Sequence, residues 1–244
     1  MKILFTILLL TAPFYCFSHG DEEPKHLADL RVLEENILPA NNSYTHRHII
    51  VTWKGIDGAR NYASHTYCSG LLEALLSHSY GYSREDFIRW FHKEHPRSEN
   101  FYDAIKYGTG FIKITNVHDI VPGDIIALKF PKGEYFERGD SSGHVMIVDK
   151  FPQLWTASPP LVEFTRQWVV AVIDSSKTGH GKGDSRYIKR GKYEPGLGKG
   201  LFRIYTDESD RIVGYAWSTS KRSDYYPQKT RSLVVGRLIP NYIP

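Results

Sequence analysis

Tyr67-Cys68-Ser69-Gly70-Leu71-Leu72-Glu73-Ala74-Leu75-Leu76 is the stretch on which the reading of this chain turns. Leu71, Leu72, Leu75 and Leu76 fall on one face at helical spacing, and Gly81 stops the run. The spacing therefore predicts a helix that begins at the cysteine. A thiol at a helix N-terminus meets unpaired backbone N–H groups and the positive end of the dipole, and both favour the thiolate. Ser69 and Gly70 have small side chains, which leaves room beside the sulfur for a carbonyl. The competing reading of such a cysteine is an inert core thiol.

Upstream, Leu27, Leu30, Leu33 and Ile37 form one stripe, so a helix is expected from Lys25 to Ile37, ended by Pro39-Ala40-Asn41-Asn42. His48 to Trp53 alternates as a short strand. Downstream, Ser83 and Asp86 make a capping pair ahead of Phe87, Trp90 and Phe91. Ser98 is expected to cap a further helix through Lys106, closed by Gly108. After Pro122-Gly123 the period falls to two. Strands are expected at Asp124–Phe130, His144–Lys150 and Trp168–Asp174, then a hairpin of Leu201–Tyr205 with Ile212–Trp217, and a closing strand at Leu233–Ile239. Helices first and strands afterwards is the α+β pattern, with N-terminal helices packed on an antiparallel β-sheet.

The chain has 244 residues, 41% of them hydrophobic, enough to bury a sizeable core. Residues 1–18 read as a signal peptide, with Lys2 as the charged start, Ile3 to Thr11 as the apolar stretch and Cys16-Phe17-Ser18 as the cleavage site. That stretch is too short to span a membrane. Export to the periplasm or the medium is expected, and cleavage would leave Cys68 as the single thiol, which rules out a disulfide framework. The formal net charge of +4 drops by one when Lys2 leaves, too little to argue for nucleic acid. Residues 19–59 read as an N-terminal helix and linker extension, and residues 60–244 as the main domain.

The chemistry-bearing residues come in a telling order. Gly143-His144-Val145-Met146-Ile147-Val148 is a strand carrying an imidazole, and Val172-Ile173-Asp174 is a later strand ending in a carboxylate. Cysteine, histidine, aspartate is the order of a nucleophile, a base and an orienting group. His180 is the rival for the third position, and Asp174 has the alternative of capping the turn at Ser175-Ser176. Cations from Lys182 to Arg203 read either as a solvated loop or as a patch for carboxylates or anionic polymers. The glycines at 196, 198 and 200 read as a turn before the strand at 201. The histidines lack metal-ligand spacing, so no metal and no cofactor are expected.

Cys68-Ser69-Gly70 on a helix, Pro122-Gly123-Asp124 before a strand, Gly143-His144-Val145 on a strand and the closing Val234-Val235-Gly236-Arg237-Leu238-Ile239 together resemble the NlpC-like cell-wall cysteine peptidases, over roughly residues 60–240. The resemblance implies a papain-like fold with Cys68 as nucleophile, His144 as base and Asp174 as the third polar residue. Tyr62 would match a tyrosine near the oxyanion, and Ser69 would border the substrate. The implied substrate is an amide bond in peptidoglycan stem peptides, cut through a thioester. Similar proteins also transfer acyl groups to lipids or amines, and an inactive wall-binding protein is a further reading. Three departures stand out. Tyr67 occupies the place of an aspartate that recognises the substrate's amine. The interval from Cys68 to His144 is longer than usual. Residues Ser175 to Gly200 form an insertion.

Overall fold

Strands that are apolar on both sides need cover on both sides, and β-strands of that kind form the centre of this molecule. The computed structural model describes residues 23–131, 142–189 and 191–244, so the signal peptide expected at 1–18 lies outside the described residues. In chain order come α1 (Lys25–Asn36), β1 (Asn42–Tyr44), β2 (Ile50–Thr52), β3 (Ala63–Thr66), α2 (Cys68–Tyr80), α3 (Arg84–Phe91) and α4 (Ser98–Tyr107). Strands follow: β4 (Phe111–Ile114), β5 (Ile125–Lys129), β6 (Gly143–Val148), β7 (Gln153–Trp155), β8 (Arg166–Ser176), β9 (Tyr187–Lys189), β10 (Lys192–Tyr193), β11 (Gly196–Thr206), β12 (Ile212–Ala216), β13 (Tyr225–Pro227) and β14 (Ser232–Leu238). The main sheet is antiparallel in the order β13-β12-β11-β8-β6-β5-β14-β4, with β7 added on β8. The molecule is an α+β protein, with four α-helices among the described residues and an antiparallel main sheet.

Period-two alternation divides the sheet into two cores. Ile125, Ala127, Val145, Ile147 and Ile173 pack with the helices, against Leu71, Leu75 and Phe101. Their neighbours Ile126, Leu128, Met146, Val148 and Val172 build a second cluster with Phe202 and Ile204 on the other face. The four leucines of α2 are fully buried, each worth about 1.5–3 kcal/mol. Gly81 ends α2 at φ 74°, a left-handed position that glycine takes without strain, and its N–H bonds the Ser77 carbonyl.

The N-terminal helix is part of the same core. Leu27, Leu30 and Leu33 are buried beside α2. His26 Nε2 donates to the Gly123 carbonyl (2.7 Å), which ties the chain start to the turn before β5. Arg31 Nε donates to Asp149 Oδ1 (2.8 Å).

Three local expectations need correction. Ser98 is not a cap: it is the first residue of α4, and the cap is Arg97, whose N–H bonds Asn100 Oδ1 (2.9 Å). The Ser98 hydroxyl is thereby released from capping. The glycines at 196, 198 and 200 are not a turn. They are the first part of β11, paired with β8 from Gly196↔Ser176 to Thr206↔Arg166. They fall on one side of the strand, and the chain between β8 and β11 folds back over that bare surface. A Cβ on Gly198 would lie 2.7 Å from Arg186 Cγ, and one on Gly200 would lie 2.5 Å from Asp184 Oδ2. The basic insertion is likewise not all solvated: Arg186 is buried and ion-paired.

Several short strands escaped the periodicity reading, β1 and β3 among them. β1 runs parallel to β3, with Tyr44 beside Thr66, just before Cys68. Asn42 anchors β1 by gripping both backbone groups of Leu197, at 2.8 Å each.

Candidate active site

The site forms where two strands part. β6 and β8 pair at Ile147↔Ile173 and Val148↔Val172. Towards His144 and Asp174 that ladder gives way, and α2 lies against both strands from the helix side. Gly143 permits the close approach of β5: a Cβ there would sit 1.9 Å from the Leu128 carbonyl oxygen. The residues before the nucleophile are pinned from the other side, because Ser175 Oγ donates to the Thr66 carbonyl (2.8 Å).

Cys68 opens α2. As a first-turn residue it has no intrahelical partner for its backbone N–H. Among the described residues it is the free cysteine, and 6% of its surface is exposed. It belongs to the helix-side core, but polar groups reach its sulfur. Ser98 Oγ lies 3.4 Å away, and the His144 imidazole and the Val145 backbone N–H act on the thiol from nearby. Burial alone would push the thiol up; the His144 charge first, then Ser98 and the Val145 N–H, outweigh it and hold the thiol below its ordinary value.

His144 Nε2 lies 2.5 Å from Asp174 Oδ2, which leaves Nδ1 as the ring nitrogen for sulfur. Burial opposes charge on this ring as well. The Cys68 thiolate and the Asp174 carboxylate prevail, and the imidazole is pushed up to about 10. The two shifts belong together, since each charge favours the other. The sequence-predicted trio of Cys68, His144 and Asp174 is therefore brought together in that order.

Asp174 is fully buried, and the insertion supplies its support. Arg186 Nη2 donates to Asp174 Oδ1 (2.8 Å), while its Nε donates to Asp184 Oδ1 (2.8 Å). His180 Nε2 lies 3.1 Å from Asp174 Oδ2, and its Nδ1 donates to the Trp217 carbonyl (2.8 Å). Desolvation would raise the Asp174 carboxyl, but Arg186, His180 and His144 hold it well below the usual carboxylate range. His180 thus stands behind Asp174 as a holder of the carboxylate; His144 has Asp174 as its partner. Trp217 closes the group, edge-on to His144 (5.0 Å between ring centres) and stacked on His180 (4.4 Å).

Two further residues were expected at the site, Tyr62 and Ser69. Tyr62 is partly buried against the helix-side core. Tyr44 stands near the thiol: burial raises its phenol, and the nearby charges of Cys68 and Asp174 raise it further, so it stays protonated. Ser69 is buried in the first turn of α2 and, like Cys68 itself, is not among the residues that line the neighbouring cavity. That cavity, about 400 Å³, meets the dyad at Gly143 and His144 and is walled by Tyr44, Phe130, Tyr215, Trp217 and Tyr226.

Sequence reasoning missed Tyr44, Ser98, Asp184, Arg186 and Trp217. One signal did exist. Glycines at alternate positions 196, 198 and 200 mark a strand face stripped bare, and the Asp184-x-Arg186 pair is what that face admits.

No family model matches the chain, and no solved structure matches it. A relative from Acanthamoeba polyphaga mimivirus, "Uncharacterized protein R653", is 35% identical over 223 residues. The matched span covers 88% of this chain and 97% of the relative.

Proposed function

The chain belongs to the family of that mimivirus protein, and from the chemistry of its site we propose that it is a cysteine hydrolase of amide bonds. The observation that carries this reading is the relay from the Cys68 sulfur through His144 to the buried Asp174 carboxylate. The nucleophile at a helix tip on an antiparallel sheet, with its base on a sheet strand, supports a papain-like, NlpC-type arrangement. Peptidoglycan stem peptides are the proposed substrate, and export by the leading segment is proposed with them.

In the proposed cycle the thiolate attacks the carbonyl carbon and an S–C bond forms. The oxyanion is met by the Cys68 backbone N–H and, in our assignment, by the Tyr44 hydroxyl. His144 gives its Nδ1 proton to the leaving amine as the C–N bond breaks, which leaves a thioester. Water then attacks that carbonyl, His144 takes the water's proton, and the C–S bond breaks to restore the thiolate. Asp174 stays ionised throughout and fixes the ring.

The test is the release of soluble fragments from peptidoglycan by the purified protein. Cys68→Ala should abolish release, and His144→Ala should lower it by about 10²–10⁴-fold. Wild-type turnover in Cys68→Ala would overturn the reading.

A further inference from the structure

We propose that His180 is a second imidazolium of this site, held on the same Asp174 oxygen as His144, and that it is a positioning residue whose charge sets how firmly His144 keeps its proton; this rests on the Cys68–His144 reading above. A count of hydrogens carries the inference. His180 Nδ1 lies 2.8 Å from the Trp217 carbonyl oxygen, and Nε2 lies 3.1 Å from Asp174 Oδ2. A carbonyl only accepts, and so does an ionised carboxylate. A neutral imidazole has one N–H and satisfies one of these partners. The protonated ring donates to both. The Asp174 carboxylate has its own reasons to stay ionised, with Arg186 Nη2 donating to Oδ1 (2.8 Å) and His144 Nε2 at 2.5 Å from Oδ2.

The surroundings of the ring suit a cation. His180 is fully buried, stacked on the Trp217 indole at 4.4 Å between ring centres and 24° between planes. An indole face attracts positive charge. Trp217 is itself fixed, since its Nε1 donates to the Gly179 carbonyl (3.2 Å). Gly200 makes the room: a Cβ there would lie 2.6 Å from His180 Cβ. Charged groups face His180 from three elements. Asp174 comes from β8, Asp184 and Arg186 from the insertion, and His144 from β6 across the shared oxygen. Asp184 Oδ2 accepts the His180 backbone N–H (2.7 Å). The Tyr193 ring packs on Gly179 and Asp184 behind them.

Sharing one oxygen couples the two rings. In the cycle above His144 gives its Nδ1 proton to the leaving amine. An Asp174 carboxylate serving His144 alone would hold that proton more tightly. A positive ring on the same Oδ2 draws on its lone pairs and repels the charge on His144, which eases the release. The second N–H of His180, anchored on Trp217, keeps the oxygen in place while this happens.

The test is long-range proton–nitrogen correlation NMR of the isotopically labelled wild-type protein at about pH 7.5, where an ordinary imidazole of pKa about 6.5 is mostly neutral. Both ring nitrogens of His180 should resonate as N–H nitrogens. One nitrogen at the unprotonated position would overturn the inference, and the spectrum decides this even if His180→Gln does not fold. The effect on His144 is read in the Cys68→Ala background, where no thiolate holds its proton. His180→Gln keeps a neutral N–H for Asp174 and removes the charge, so the His144 titration followed by NMR should move up by about one pH unit. A titration left in place, as a merely structural role would leave it, would overturn the role assigned to His180. The two possible failures are distinguishable. Wild-type turnover in Cys68→Ala sinks the hydrolase reading, whereas a neutral His180 sinks this inference and leaves that reading standing.

Discussion

Gly198 stands opposite Asp174 in the ladder between β11 and β8, and the Arg186 side chain crosses that glycine to reach the Asp174 carboxylate. The same bare face admits Asp184 and His180 over Gly200, and Asn42 over Gly196. The arrangement makes a residue with no side chain part of the support for the proposed triad.

Gly198→Ala should therefore disturb the site from behind. The new methyl would sit 2.7–2.8 Å from Arg186 Cγ, Nε and Cδ, and the guanidinium would have to move. Overpacking of this kind costs about 1–3 kcal/mol. Urea unfolding should report that loss, together with slower peptidoglycan cleavage. Unchanged stability and turnover would remove Gly198 from the account.

Arg186→Gln should be more severe. It strands the Asp174 and Asp184 carboxylates in the interior, and breaking a buried pair costs about 3–5 kcal/mol. The pH dependence follows from the depressed Asp174 carboxyl. Its stabilising contribution is complete above the ordinary aspartate pKa of about 3.9 and is lost as pH falls through the depressed native value. Without Arg186 the native carboxyl rises, so acid unfolding followed by circular dichroism should begin at higher pH than in the wild type. Coincident acid transitions would contradict the assignment.

Two tyrosines separate the structural from the resemblance-based reading. Tyr44→Phe should slow acylation by about 10²–10³-fold, the usual cost of losing an oxyanion donor. Tyr62→Phe, on the helix-side core, should leave acylation near wild type. Stopped-flow measurement of acyl-enzyme formation distinguishes them, and the reverse ranking would assign the oxyanion contact to Tyr62.

The sequence made the helices and the main strands legible because their buried faces repeat. The leucines of α2, the stripe of α1 and the alternating β5, β6, β8 and β14 declare themselves through periodicity. The order of Cys68, His144 and Asp174 was readable for the same reason: each sits at the end of a strongly patterned element. β1 was not, because Asn42-Ser43-Tyr44 is short and polar and owes its place to Asn42 gripping Leu197. Arg186 looked like one cation among many, since its burial depends on a glycine face built by another strand. Ser98 looked like a cap, since nothing local reveals that Arg97 takes that position and leaves the hydroxyl for the sulfur.

The central claim is that Cys68 rests as a thiolate beside the His144 imidazolium. Its most direct test is the rate of Cys68 alkylation by iodoacetamide as a function of pH, with the modified residue identified by mass spectrometry. The His144 charge depresses the thiol, so the rate should level off at a lower pH than that of an unperturbed cysteine. A rate that climbs tenfold per pH unit up to about pH 8.5, as an unperturbed cysteine does, would contradict it.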